Sequence, residues 1–135
     1  MGRQVRQMGQ YGNLTMIDEY RFGIIVVDGC QYKEDVAIDC EGRVWEWHCM
    51  TRHIVSLDDI KYFLKGAPEI VIIGSGQNGE CRVQENVQDF CQKSGIKLIV
   101  DRTEEAVKTF NVIKEDSLQE EGRQAKIAGF FHLTC

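Results

Sequence analysis

Residues 70–79 have the sequence IVIIGSGQNG, which is the clearest indication of fold class in the chain. Its first four residues form a continuous apolar run, which is typical of a strand buried on both faces of a sheet. A second buried strand is predicted at residues 96–100, and apolar residues at helical spacing lie between the two, up to Gly95. This β-α-β order predicts a partly parallel sheet with a right-handed crossover helix.

The flanking segments extend this unit in both directions. A capping-box pattern at residues 56–59 predicts a short helix before the first buried strand. Thr103 is a helix N-cap candidate, and apolar residues at helical spacing follow it. A charged loop is expected at residues 115–123, and a last strand at residues 127–133.

The N-terminal half has the pattern of short strands joined by tight turns. Residues 20–27 end at Asp28-Gly29, a strong hairpin signal, and further short strands are predicted up to Trp47. Trp45 and Trp47 are two residues apart, so they share one face of a strand. We expect one of them to anchor this N-terminal meander to the central sheet.

The predicted fold class is therefore α/β. We expect a three-layer domain with a central mixed β-sheet flanked by helices, plus an N-terminal β-meander packed against it. Residues 1–15 are expected to form a partly flexible N-terminal extension, and residues 16–135 a single domain.

Composition excludes several classes of function. The net charge is −5, and Lys and Arg are scattered, so no nucleic-acid partner is expected. No apolar run is long enough to cross a bilayer, and the first residues do not resemble a secretory signal. We expect a cytoplasmic monomer or weak homodimer, without membrane insertion. Its six cysteines, none spaced as Cys-x-x-Cys, are expected to stay unpaired.

The glycine loop, defined as residues 74–79, matches the G-x-G-x-x-G pattern of dinucleotide sites. The helical pattern begins only near Val83, too late for its amides to meet a pyrophosphate, so no cofactor is expected. The loop can instead line a small pocket, in which Arg102 would hold an anionic group and Asp101 would accept hydrogen bonds. The candidate pocket residues are Gly74, Ser75, Gly76, Asp101, Arg102 and Asn111.

Histidines and cysteines occur together in two distant regions. His48, Cys49 and His53 follow the tryptophan strand, whereas His132 and Cys135 lie near the C-terminus. If the two regions met, they could form a metal-binding or a nucleophilic site. A nucleophilic thiol needs a base within hydrogen-bond reach, which the sequence does not establish, so no catalytic and no metal-ligating residue is assigned.

Several motifs occur in one order along most of the chain. They are Trp45-Glu46-Trp47, His53, PEIVIIGSG at residues 68–76, Gly95-Ile96, Thr103-Glu104-Glu105-Ala106-Val107, Phe110-Asn111 and the final FHLTC. This order resembles the adipogenesis-associated Mth-domain-containing protein family, uncharacterised proteins that include the mitochondrial NADH dehydrogenase complex I assembly factor three. The resemblance implies a compact three-layer fold with a central mixed sheet, and the family has no agreed enzymatic activity that could be assigned to residues of this chain.

Two functional hypotheses follow. The leading one is a non-enzymatic interaction or assembly-type protein that holds a protein partner on a surface patch. The alternative is a small-ligand-binding protein or enzyme with its pocket at the glycine loop. The sequence contains no complete catalytic constellation, which favours the first hypothesis.

Overall fold

The computed structural model describes residues 4–6, 15–121 and 125–135. Its strands are β1 (Gln4–Arg6), β2 (Ile17–Arg21), β3 (Ile24–Val27), β4 (Cys30–Tyr32), β5 (Val36–Ile38), β6 (Val44–Glu46), β7 (Ile54–Val55), β8 (Ile70–Ser75), β9 (Arg82–Val83), β10 (Lys97–Asp101) and β11 (Ile127–His132). Its helices are α1 (Leu57–Ile60), which continues into a 3₁₀ helix (Lys61–Leu64), α2 (Glu85–Lys93) and α3 (Thr103–Glu121).

A mixed central sheet has the strand order β1-β6-β5-β11-β8-β10. Strand β8 runs parallel to both β10 and β11, with Ile70 paired to Lys97 and to Ile127. Strand β5 pairs antiparallel with β11, and β6 pairs antiparallel with β5. The carboxyl ends of β8, β10 and β11 therefore meet at one edge, where open α/β sheets bind ligands.

Each face of the central sheet buries its own apolar cluster. One face packs against α3 and a small antiparallel sheet of β2, β3 and β4, with fully buried Ile25 and Phe110 in this cluster. The other face packs against α1, the 3₁₀ helix and α2, through residues such as Phe63 and Val87. The predicted fold class, a central mixed sheet with helices and an N-terminal antiparallel layer, is confirmed.

The tryptophans lie on the opposite side of the sheet from the one predicted. The residues of β5 and β6 join the central sheet instead of the meander, and alternation along β6 sends Val44 towards β2–β4. Trp45 and Trp47 consequently face α1 and the 3₁₀ helix. The expectation that one of them packs against the meander was wrong, because it took β6 as part of that layer.

Helix α3 extends through most of the predicted charged loop. It continues to Glu121, and Lys114 and Ser117 are buried against the core. No glycine or proline interrupts residues 104–121, and the Glu, Lys, Gln and Leu residues there favour a helix. High charge was therefore a poor loop signal, since charged residues also form exposed helix faces. Residues 122–124 lie outside the described part of the chain.

The predicted N-terminal extension lies largely outside the described residues, which omit 1–3 and 7–14. Within it, the backbone of β1 pairs with β6, opposite Val44 and Trp45. The domain boundary at residue 16 stays a prediction. None of the described helices combines the length and the apolar character that crossing a membrane requires.

Candidate functional site

The glycine loop supports the C-terminal segment (residues 133–135). The backbone amide of Gln77 donates to the carbonyl oxygen of Thr134 at 3.3 Å, and that of Asn78 donates to the carbonyl oxygen of Cys135 at 2.8 Å. Amides that a phosphate would need are thus already bonded within the protein. Helix α2 begins only at Glu85, which agrees with the late helix start predicted from the sequence.

Gly76 is required by a close approach of two backbones. Its φ is +100°, and a Cβ atom there would lie 2.4 Å from the Thr134 carbonyl oxygen and 2.8 Å from the Cys135 Cβ. Its amide donates to the Thr103 Oγ1 at 2.9 Å, and this hydroxyl donates to the His132 carbonyl oxygen at 2.6 Å. Support of the C-terminal segment therefore accounts for Gly76, and the absence of dinucleotide binding stays a prediction.

The structure brings most of the predicted pocket residues to one edge of the sheet. Ser75 donates from its hydroxyl to the Asp101 carbonyl oxygen at 3.0 Å, and the Arg102 side chain passes beside Gly79. Gly74 lies against the Thr103 side chain, where a Cβ would come within 2.8 Å of its hydroxyl. Predicted neighbours along β8 and β10 are thus neighbours in space, and whether they bind a ligand stays a prediction.

Asn111, the sixth predicted pocket residue, is bonded to strand β2. Its Oδ1 accepts a hydrogen bond from the Ile17 amide at 2.9 Å, and its Nδ2 donates to the Ile17 carbonyl oxygen at 2.7 Å. The side-chain amide therefore bonds both backbone groups of Ile17, as a neighbouring strand would. This arrangement holds the small sheet to α3.

A second feature of this sheet edge is a cavity of about 370 Å³ beside the C-terminal segment, here called the Cys/His cavity. It brings together the two regions whose meeting the sequence left open. All three histidines and half of the six cysteines line it. The lining residues are Asp35, His48, Cys49, Met50, Arg52, His53, Cys81, His132, Thr134 and Cys135.

The most constrained group of the cavity is the imidazole of His132, which is 5% exposed. Its Nδ1 lies 3.1 Å from the Asp35 Oδ2, and the Asp35 Oδ1 accepts the Leu133 amide at 2.8 Å. The ring lies 4.7 Å from the Trp47 ring, between centroids. Pairing with the Asp35 carboxylate makes Nδ1 the donor of this hydrogen bond, and Nε2 has no hydrogen-bond partner among the described residues.

Two thiols of this cavity, those of Cys49 and Cys81, have raised pKa values. Burial raises the pKa of Cys81 to about 12, and its hydrogen bond with Cys135 acts in the same direction. Burial also raises the pKa of Cys49, and the nearby carboxylate of Asp59 raises it further. Nucleophilic cysteines need a lowered pKa, so neither Cys49 nor Cys81 is an activated nucleophile at neutral pH.

A separate trio of side chains has metal-ligand spacing at the rim of this cavity. Among the described residues, only Glu34, Glu46 and His48 place three histidine, cysteine or carboxylate ligand atoms within 4.8 Å of one another. Strand pairing produces the trio, because β5 and β6 pair Val36 with Glu46 and so bring residues 34 and 48 together. The sequence analysis did not predict this trio. Pairing the two predicted strands β5 and β6 would have indicated it.

Next to the cavity lies an open depression of about 590 Å³, here called the Met50 groove. Met50 is 85% exposed at its edge, and the Lys65 Nζ lies 4.5 Å from the centroid of the Tyr62 ring. The groove combines apolar surface with two exposed lysines on a chain of net charge −5. Its lining residues are His48, Met50, Asp58, Asp59, Lys61, Tyr62 and Lys65.

Comparison with known proteins gives one family and several similar folds. Residues 17–130 match the family model described as "Protein of unknown function (DUF498/DUF598)". A conserved hypothetical protein, PH1505 of Pyrococcus horikoshii OT3, is 23% identical with a TM-score of 0.71, covering 88% of this chain and 98% of that one. A structure named MT938 is 24% identical with a TM-score of 0.69, covering 90% and 99%.

A third similar structure is that of a Bordetella pertussis protein described as a Mth938-like domain. It is 17% identical with a TM-score of 0.56, covering 95% of this chain and 91% of that one. At these identities the similarity concerns the fold. Together with the family match, it confirms the resemblance to Mth-domain proteins that the sequence motifs indicated.

Proposed function

We propose that this chain, which belongs to the DUF498/DUF598 family of proteins of unknown function, is a non-enzymatic interaction or assembly-type protein whose partner docks in the Met50 groove. The observation that carries this proposal is the side chain of Met50, which is 85% exposed beside Tyr62. Large exposed apolar side chains around a concave surface are typical of sites that bind another protein.

The charge of the groove favours one chemistry of partner. Lys61 and Lys65 are both exposed on its rim, whereas the chain as a whole is acidic. A matching partner is a protein segment that places an apolar side chain against Met50 and Tyr62 and a carboxylate near the lysines. A polyanion of phosphates is disfavoured by the chain's overall negative charge.

The Cys/His cavity supports the non-enzymatic part of the proposal. Covalent catalysis by a thiol needs a low pKa and a base in hydrogen-bond contact. Cys81 has a raised pKa, and among the described residues the Nε2 of His132 has no hydrogen-bond partner. We also infer a cytoplasmic location, because the exposed thiol of Cys30 suits a reducing compartment. We propose that the chain is a monomer or a weak homodimer there.

Site-specific photo-cross-linking tests the groove. A benzophenone amino acid at position 50 is expected to give a discrete cross-linked product with a second protein in lysate of the source cells, and excess wild-type chain should compete it away. The matched control carries the same group at Val112, which is 54% exposed outside the groove and should give no such product. Equal labelling from both positions, no product from position 50, or a product with a second copy of the chain would refute the proposal.

A further inference from the structure

We propose that the chain forms a homodimer in which strand β10 pairs antiparallel with β10 of a second copy, so that Ile99 of one copy lies opposite Ile99 of the other. Strand β10 is the last strand of the central sheet, four places away from β6, the strand that leads to Met50. Such a dimer is therefore independent of partner docking in the Met50 groove, because it uses different residues. It selects the weak homodimer from the two oligomeric states named above.

The backbone of β10 has one open edge. On its other edge the strand pairs with β8 without a bulge, and the Lys97 amide donates to the Glu69 carbonyl oxygen at 3.0 Å. Backbone groups alternate in direction along a strand, so residues 97, 99 and 101 bond towards β8. The N–H and C=O groups of Leu98 and Val100 therefore point to the open edge, where the described part of the chain places no strand.

Pairing centred on Ile99 satisfies these backbone groups and matches the charged ends of the strand. Leu98 then lies opposite Val100 of the second copy, and the two residues exchange a pair of N–H···O=C bonds. Lys97 and Asp101 are exposed and are each two residues from Ile99. Lys97 of either copy thus lies opposite Asp101 of the other, and opposite charges on facing strands stabilise the pair.

Charge also restricts the pairing to this one register. Charged side chains at a sheet edge usually prevent association. A shift of two residues places Lys97 opposite Ile99 or Thr103 of the second copy, so both ion pairs are lost. Parallel pairing in register places Lys97 opposite Lys97, and like charges in that position repel. The antiparallel arrangement is also the one that a closed two-fold dimer requires, because the same edge faces itself.

The open edge exposes apolar surface that the second copy would cover. Val100 is 43% exposed and borders a depression of about 480 Å³ that residues of α2 and β10 line. In the paired register, Val100 of the second copy lies beside Leu98 on this face, so both side chains lose contact with water. The α2 residues of the depression have uncharged side chains and do not repel a second copy. They are Gln88, Cys91 and Gln92.

Sedimentation equilibrium of the full chain tests the dimer. A five-residue strand pair buries less surface than the interface of a permanent dimer, so we expect a Kd between about 10 µM and 1 mM. Lys97→Asp and Asp101→Lys should each weaken self-association at least about tenfold, because each places like charges in both facing pairs. The control Lys33→Asp reverses an exposed charge outside β10 and should leave the association unchanged.

Mixing the two β10 variants distinguishes strand pairing from a general effect of charge. A Lys97→Asp chain paired with an Asp101→Lys chain regains two opposite-charge pairs, so the equimolar mixture should form a heterodimer about as strong as the wild-type dimer. Circular dichroism verifies that each variant is folded. Wild-type chain that stays monomeric at about 1 mM, an equal loss in Lys33→Asp, or a mixture of folded variants that does not associate would overturn the proposal.

Hydrogen exchange of the wild-type chain keeps the test decisive if a β10 variant fails to fold. The amides of Leu98 and Val100 point to the open edge, so we expect them to become protected as the protein concentration rises. Exchange of these two amides that does not change with concentration would contradict pairing through β10.

Discussion

Replacing Trp47 with alanine is expected to lower the free energy of unfolding by about 3–5 kcal/mol. The side chain is 1% exposed, and its ring packs 5.3 Å from that of Phe130 and 4.7 Å from that of His132, between centroids. The indole nitrogen also donates to the Asp59 carbonyl oxygen at 2.9 Å. The substitution therefore leaves a large cavity and an unsatisfied buried acceptor. The expected loss is a large share of the free energy of unfolding of an ordinary domain.

Urea unfolding followed by circular dichroism measures this loss without depending on the removed fluorophore. Val112→Ala is the control, since this exposed side chain should change stability by less than about 0.5 kcal/mol. If Trp47→Ala does not fold, Trp47→Phe provides a milder loss at the same position. A Trp47→Ala loss no larger than that of Val112→Ala would show that the sheet face facing α1 has been assigned incorrectly.

The substitution Gly76→Ala is expected to destabilise the protein by about 2–5 kcal/mol. A positive φ of +100° strains an L-residue by about 1–3 kcal/mol. The added methyl group would also meet the Thr134 carbonyl oxygen at 2.4 Å, and relief of such an overlap costs roughly a further 1–3 kcal/mol. Relief requires the C-terminal segment to move, so the loss measures how firmly the loop holds that segment.

Gly95 supplies the matched control for this comparison. Its φ is +71°, but nothing lies within 4 Å of the position that a Cβ would take. Gly95→Ala therefore tests the backbone strain alone, and we expect a loss of about 1–2 kcal/mol. Equal losses in the two variants, from thermal or urea unfolding, would mean that Gly76 makes no close contact with the C-terminal segment.

The parallel part of the fold could be predicted from the sequence because its signals are local. Residues 70–73 form an uninterrupted apolar run, and Gly95 ends the helical pattern before β10. The positions of β5 and β6 could not be predicted in the same way. Strand β11, with which β5 pairs, lies about ninety residues later, and nothing in a short apolar segment specifies whether it joins a meander or the central sheet.

The candidate site was only partly predictable for the same physical reason. Strand order alone places one set of predicted residues at one edge, because they lie at the carboxyl ends of the neighbouring parallel strands β8 and β10: Gly74, Ser75, Gly76, Asp101 and Arg102. Asp35 and His132 are separated by 97 positions, and no local pattern indicates that they pair. Asn111 matches the helix pattern but bonds strand β2, a contact set by how α3 packs on the small sheet.

The glycine loop supports the C-terminal segment, and we expect that it does not bind a dinucleotide. Isothermal titration of the wild-type chain with NAD⁺, NADH and NADP⁺ tests this expectation. The amides of Gln77 and Asn78 already donate to backbone oxygens, so we expect no binding tighter than about 1 mM, a free energy of about −4 kcal/mol. A low-micromolar dissociation constant that Gly76→Val abolishes would contradict the account and support a cofactor pocket at the loop.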